Sequence, residues 1–502
     1  MKYHFVSLLI GIFFIPSFKT LQAQAGSGAF IAGDFADPSA IKTKGSYYAT
    51  GTSSEWAPHF PIYTSKDLRH WEQTGYVFDK TPEWASGSFW APEYYFHNNT
   101  YYIYYTARRK ADNISCIGVA TSKYPDRGFK DQGVIVSYGK EAIDAFVYND
   151  NGQLFITFKA YGLDDRPIEI LGSRLSADGL KLEGEVFSLL KDNNRIGMEG
   201  QSIVKNGDYY YLFYSAGNCC GSGCSYNVRV ARSKSFTGPY EDYNQNPILA
   251  SNEAWKCPGH GTFVKQDDGK HIYIHHAYNK ESNVFTGREG MLAVLDWRNE
   301  NDWPSLVTQA TSNTNPNNIA TTFKEKQAGH YWQWDFRNST PVVKQQKGAF
   351  YLSGTFKESN KTGVALTVRP VSHDFDVTTT VVNSNEALKG LVFYGDAKAA
   401  IGIGAIGNKV EFWMVNDDKR TILATKDIKA GVPVQLKLTM KPDLSCEVFY
   451  KQAEAGWQQI GSGIKQDLGF LPQWDRSPRP GLHFKGAPDQ HAAFSSFELI
   501  NR

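Results

Sequence analysis

Three acidic residues stand in surroundings that repeat. Asp37 precedes a proline, Asp144 follows Ile143, and Glu199 precedes a glycine; each opens a segment that runs through a Gly or Asn turn into an alternating aromatic strand. A carboxylate that is ionised accepts a proton, and a carboxyl that is protonated gives one. A pocket holding both, in surroundings that differ, is therefore equipped for general acid–base chemistry. A lone Asp or Glu beside Gly is usually a turn residue, but the same placement in consecutive segments argues for convergence on one place.

The segments recur with a period of about 55 residues. Asp37-Pro38-Ser39 leads to Tyr47-Tyr48, Trp90-Ala91-Pro92-Glu93 to Tyr101–Tyr105, and Ile143-Asp144-Ala145-Phe146 to Leu154–Phe158. Glu199-Gly200-Gln201 leads to Tyr209–Tyr214, and Pro258-Gly259-His260-Gly261 to His271–His275. The signatures fall at 37, 90, 144, 199 and 260, at intervals of 53, 54, 55 and 61 residues. Short strands joined by hairpin turns, repeated at the length of one four-stranded sheet, are the pattern of propeller blades. The chain is expected to be all-β: a five-bladed β-propeller over 26–325, whose first strands line a central channel and bring the acidic residues to one mouth. An Asn-rich stretch from Asn313 to Asn318 reads as a linker or closing loop. After it the repeat disappears, and strands such as Gly390–Tyr394, Lys409–Trp413 and Val434–Leu438 predict a β-sandwich over 330–502.

Composition narrows the partners. With 53 basic and 51 acidic residues the formal charge is +2, which gives no electrostatic case for nucleic acid or an anionic membrane. Aromatic residues make up 14% of the chain, a stacking surface that suits carbohydrate and serves β-cores equally. Lys2 and His4, the apolar run Phe5–Pro16 and Ala23-Gln24-Ala25 read as a signal peptide over 1–25. No later stretch is long and apolar enough to span a bilayer, so the protein is expected to be secreted or periplasmic. Four of the six cysteines, Cys219, Cys220, Cys224 and Cys257, lie close together, and Cys116 and Cys446 lie apart. In an oxidising compartment the cluster predicts a stapled loop with one or two disulfides, not a zinc site, since it lacks His and the paired spacing. Which cysteines pair is open.

Asp37-Pro38, Trp90-Ala91-Pro92-Glu93, Ile143-Asp144, Glu199-Gly200 and Gly259-His260-Gly261 resemble, in order and spacing, glycoside hydrolase family 43 over residues 30–310. The remainder is similar to the concanavalin-like sandwich appended to many members. The resemblance implies an inverting O-glycosyl hydrolase: Asp37 the general base, Asp144 the carboxylate that tunes and orients the acid, Glu199 the general acid. Inversion asks for a base and an acid about 6.5–9.5 Å apart so that water fits between. A third negative charge near Glu199 would keep it protonated. Phe35, Trp56, Trp90 and Phe146 are candidates for stacking on the sugar, and Arg288 for orienting a carboxylate or a hydroxyl. His260 matches the family's axial histidine, which either sits near a calcium ion through water or is simply hydrogen-bonded; no cofactor is required. Asp34 reads as a turn or substrate-binding residue and Glu93 as structural or as a hydrogen-bond acceptor. Members commonly carry Asp at the place of Glu93 and Pro at Ala145 or Gln201, so the subsites differ.

The substrate expected is a plant-type polysaccharide or oligosaccharide, cut by a monomer that releases arabinofuranose or xylose. Alternatives are an endo-arabinanase, a galactan-directed hydrolase, or a non-catalytic carbohydrate-binding propeller. Retaining fructan-cleaving propellers are set aside because Asn-Asp-Pro-Asn-Gly and Arg-Asp-Pro are missing and Ala36 precedes Asp37. Trp332, Trp334, Trp413 and Trp474 do not decide the role of the sandwich, which is expected to be structural or to form the rim.

Overall fold

Alternating strands joined by tight turns pair with their immediate neighbours, so each repeat folds on itself. The computed structural model describes residues 28–161, 168–282, 285–309, 317–464, 466–471 and 474–502. The signal peptide expected over 1–25 and residues 313–316 of the Asn-rich stretch lie outside these. Five four-stranded antiparallel sheets follow in chain order. Their first strands are Ser39–Thr43, Ala85–His97, Glu141–Asp150, Met198–Asn206 and Trp255–Lys265. The first strand of each sheet touches that of the next, and the fifth touches the first, which closes a ring of five blades. The segment before Asp37 seals the ring: Phe30 N–H donates to Gly290 O at 2.8 Å and Gly290 N–H to Ile31 O at 3.0 Å, both against blade five.

Apolar residues of adjacent blades form the cores between them, as with Ile117, Val119, Val147 and Ile156 between blades two and three. Each such side chain contributes about 1.5–3 kcal/mol by leaving water. This packing fixes the blades and leaves their inner edges free to carry polar chemistry.

The second domain is a sandwich of an eight-stranded and a six-stranded sheet. Its large sheet takes in Ile319–Thr321, paired with the last strand, Ala492–Asn501, so it begins ahead of residue 330. The inner faces of both sheets build one apolar core, including Leu391, Ile401, Phe412, Leu436 and Phe494. Trp334–Asp335 pairs with Trp56–Ala57 of blade one, tying the domains together by main-chain bonds.

Candidate active site

Ladder pairing breaks at the signatures. The register shifts between Ile143 and Phe146, between Glu199 and Ser202, and twice between Lys256 and Thr262. A bulge leaves a residue unpaired and turns its side chain out of the sheet. Asp144 and His260 accordingly have φ of 60° and 40°, and Asp37, just before its strand, has φ of 49°. Non-glycine residues adopt this left-handed region at a cost of order 1–3 kcal/mol. Gly200 (φ 59°) sits where a Cβ would come within 2.7 Å of the His260 ring, and its N–H donates to Asp144 Oδ2 at 3.0 Å. The result is one cavity of about 560 Å³ whose lining includes Asp37, Asp144, Glu199, His260, Arg288 and Trp90.

Asp37 is held from several sides. Arg288 Nη1 donates to Oδ1 at 3.0 Å and Thr52 Oγ1 to Oδ2 at 2.6 Å. The Asp37 N–H donates to His276 Nδ1 at 3.0 Å, which fixes that ring as an acceptor. Burial lowers His276 to about 4, so it is neutral. Burial pushes the Asp37 carboxyl up, but the Arg288 guanidinium, His260 and His276 together outweigh it and hold it well below the usual range. Asp37 is thus an ionised carboxylate.

The other two carboxyls divide differently from expectation. Glu199 accepts from Lys159 Nζ at 2.5 Å and from Tyr226 Oη at 2.9 Å. Burial raises it, but the Lys159 ammonium and its hydrogen bond, with His260 and the Tyr226 hydroxyl, together lower it below the usual range, which favours the ionised form. Asp144 is the group pushed up, to about 6, first by burial and further by the Glu199 charge, with His260 opposing. The Asp144 charge expected to keep Glu199 protonated is opposed by Lys159. The register places Lys159 opposite Ile143, beside the Asp144 bulge. A lone lysine ending the apolar run Leu154–Phe158 was the available signal. Tyr226 carried none.

The structure brings Trp90 and Arg288 to the cavity and puts the other predicted rings elsewhere. Phe35 is fully buried against Phe30 and Tyr63. Trp56, 1% exposed, lies at the domain junction, under the Arg479 guanidinium at 4.4 Å and edge-on to Tyr394. Phe146 follows the bulge and packs between blades three and four, beside Ile203 and Leu212. The faces of Phe35 and Trp56 are taken by protein, which corrects the expectation that they stack on a sugar; Phe146 is half-buried against its core and is not part of the cavity lining. The missing aromatic comes from the sandwich: Trp474 is 61% exposed and lines the cavity together with Asp475. Asp475 Oδ2 accepts from Trp90 Nε1 at 2.9 Å, and its carbonyl accepts from Arg288 at 3.2 Å and from Ser54 at 3.1 Å. Asp34 is buried near Arg479 (3.6 Å) at the domain junction, a structural position.

Beneath the carboxylates a small axial cavity of about 10 Å³ is lined by Glu93, Gln201, His260 and Thr262 among others. Its size suits about one water molecule. Glu93 accepts from Ser39 Oγ at 2.6 Å and is raised to about 8 by burial, so it is largely protonated at neutral pH. Gln201 Oε1 is a buried acceptor without a partner among the described residues. The nearest carboxylates to His260 Nδ1 are Asp37 at 3.5 Å and Asp144 at 3.7 Å. Calcium takes 6–8 oxygens, several of them charged; Asp37 also lines the space but its oxygens are engaged by Arg288 and Thr52, and a neutral acid, one amide oxygen and an imidazole around so small a cavity do not complete that shell. Among the described residues no group of three or more His, Cys, Asp or Glu is arranged for a metal.

Both domains match known families. Residues 28–304 match the profile described as Glycosyl hydrolases family 43, and residues 320–486 that of the Beta xylosidase C-terminal Concanavalin A-like domain. The chain is 32% identical over 313 residues to the extracellular exo-alpha-(1->5)-L-arabinofuranosidase of Cellvibrio japonicus, covering 54% of this chain and 86% of that protein. It is 28% identical over 292 residues to an extracellular endo-alpha-(1->5)-L-arabinanase of Bacillus subtilis, with the same two coverages, 54% and 86%. The crystal structure of a xylan beta-1,4-xylosidase from Bacillus halodurans superposes with a TM-score of 0.81 at 20% identity, over 94% of this chain and 99% of that one, so both domains share its fold.

Proposed function

The chain belongs to glycosyl hydrolases family 43, and from that premise we propose that it is an exo-acting, inverting hydrolase releasing a terminal pentose, arabinofuranose or xylose, from plant-type polysaccharide or oligosaccharide. The observation that carries this reading is the convergence of Asp37, Asp144 and Glu199 from three blades on one cavity, with Asp37 ionised against Arg288. Asp37 takes a proton from water, whose oxygen attacks the anomeric carbon from the face opposite the leaving oxygen. The C–O bond breaks, and the leaving oxygen takes its electron pair and a proton from Glu199. Solvent then removes the proton from Asp37 and returns one to Glu199. Entry of a sugar strips water from the cluster, which favours the neutral carboxyl and so equips Glu199 as the acid. Asp144 orients Gly200 and sets the field around the acid. Trp474 and Asp475 wall the cavity on one side, which supports release from a chain end over cleavage within a groove. Among the described residues no helix is long and apolar enough to cross a membrane. The expected leader and relatives that are named extracellular support a secreted or periplasmic location.

The test is hydrolysis of nitrophenyl pentosides and hexosides by the wild type and by Asp37→Asn, with the released anomer followed by NMR. One pentose of inverted configuration, and a loss of about 10³-fold or more in the variant, is the expected outcome. Retained configuration, or an unimpaired variant, would remove Asp37 as the base.

A further inference from the structure

One wall of the catalytic cavity has no part in the steps above. Gly217, Asn218, Cys219, Cys220 and Gly223 line the cavity from the loop that leaves the second strand of blade four. Glu199 pairs in register with Ser215, and Gly217 N–H donates to Gly197 O at 3.1 Å. The loop therefore starts beside Glu199, and on the hydrolase reading the leaving oxygen is the atom that meets this acid. It is fixed there twice over. Cys219 and Cys220, adjacent in sequence, are bonded to each other, and Cys224 is bonded to Cys257 in the strand that carries His260. Gly221 N–H donates to Tyr278 Oη at 3.0 Å, and Ser225 N–H to Asn218 O at 2.9 Å.

What this wall presents is unusual for a cavity lined by charge. A sulfur pair has no N–H or O–H and offers a polarisable apolar face. Gly221 and Gly223 have open space where a Cβ would stand. Asn218 is exposed, and its side-chain amide makes no hydrogen bond among the described residues. Trp90 stands two blades away around the ring. A sugar ring has a C–H face and a rim of hydroxyls, and an apolar platform beside one free amide matches both.

Resting on the hydrolase reading above, we propose that the Cys219–Cys220 disulfide with Asn218 is the binding wall for the first sugar on the leaving side, taking the C–H face of an unsubstituted ring on the sulfurs and a hydroxyl on the amide. It makes the enzyme prefer a saccharide leaving group to a small one.

The test compares arabinobiose or xylobiose, whichever the wild type cleaves, with the matching pentosyl fluoride, whose leaving group is too small to reach the wall. Cys219→Ala/Cys220→Ala should lower kcat/KM on the disaccharide about 10-fold and leave the fluoride within about twofold. Gly223→Leu retains both disulfides, projects into open space, and should discriminate in the same way, so the result does not depend on how the double variant folds. Equal losses on both substrates would mark the loop as a structural staple and overturn the proposal, as would an unimpaired disaccharide reaction. A wild type that cleaves neither disaccharide nor fluoride would sink the hydrolase reading itself, and this wall with it.

Discussion

A buried lysine decides which carboxyl holds the proton. Lys159 is 8% exposed, and its ammonium lies 2.5 Å from Glu199 Oε2, where it lowers the acid it touches. Replacing it with Met removes a cation that bonds Glu199. The Glu199 carboxyl must then rise, and with it the pH at which the acid is lost. The alkaline limb of kcat/KM against pH is set by deprotonation of the acid, so Lys159→Met should move that limb upward and reduce the maximum through loss of positioning. A profile lowered uniformly, with its alkaline limb unmoved, would assign Lys159 a packing role only. The acid limb belongs to Asp37, whose partners Arg288 and Thr52 are untouched, and should stay where it is.

At the scale of the strand, the bulges convert a repeat in sequence into a site. Gly200 is the position where this can be tested, because its φ is 59° and an added Cβ would stand only 2.7 Å from the His260 ring. Gly200→Ala should push the imidazole away from Asp37 and Asp144, lower kcat/KM by ~100-fold and destabilise the fold by about 1–3 kcal/mol. Gly45→Ala separates the two causes: its φ is 70° but nothing lies within 4 Å, so it should cost about 1–2 kcal/mol in thermal melting with activity unchanged. Equal activities in the two variants would show that the close contact does not matter. The same strands show what a sequence can reveal. The signatures at 37, 90, 144, 199 and 260 each mark an inner edge, because the period of a blade is a chain-local property. Which way a ring beside a bulge points is not local. Phe146 follows Asp144 by two residues and faces a neighbouring blade's core, and Phe35 packs under blade five's edge. The pairing of Cys219 with its neighbour was equally hidden, since adjacency excludes nothing among four clustered thiols.

The whole molecule supplies what no single blade encodes. Trp474 and Asp475 reach the cavity from the sandwich, 385 residues beyond Trp90 in the case of Asp475's bond to its indole. They are placed by main-chain pairing of Trp334–Asp335 with Trp56–Ala57 and by Arg479, which lies over Trp56 and near Asp34. The sandwich thus forms part of the cavity wall, and on the proposed function its contribution should be one of binding. Trp474→Ala removes an exposed ring that touches no reacting group, so KM for a short substrate should rise by ~10-fold while kcat changes little, the mark of contacts equally strong in ground and transition states. Asp475→Ala reaches further, because it frees the Trp90 indole while leaving the carbonyl that accepts from Arg288 and Ser54. It should raise KM and reduce kcat modestly together. Unchanged KM in both variants, measured at equal melting temperature, would confine the sandwich to a scaffold. A fall in kcat alone for Trp474→Ala would instead put that ring in the transition state and require the leaving-side wall to include it.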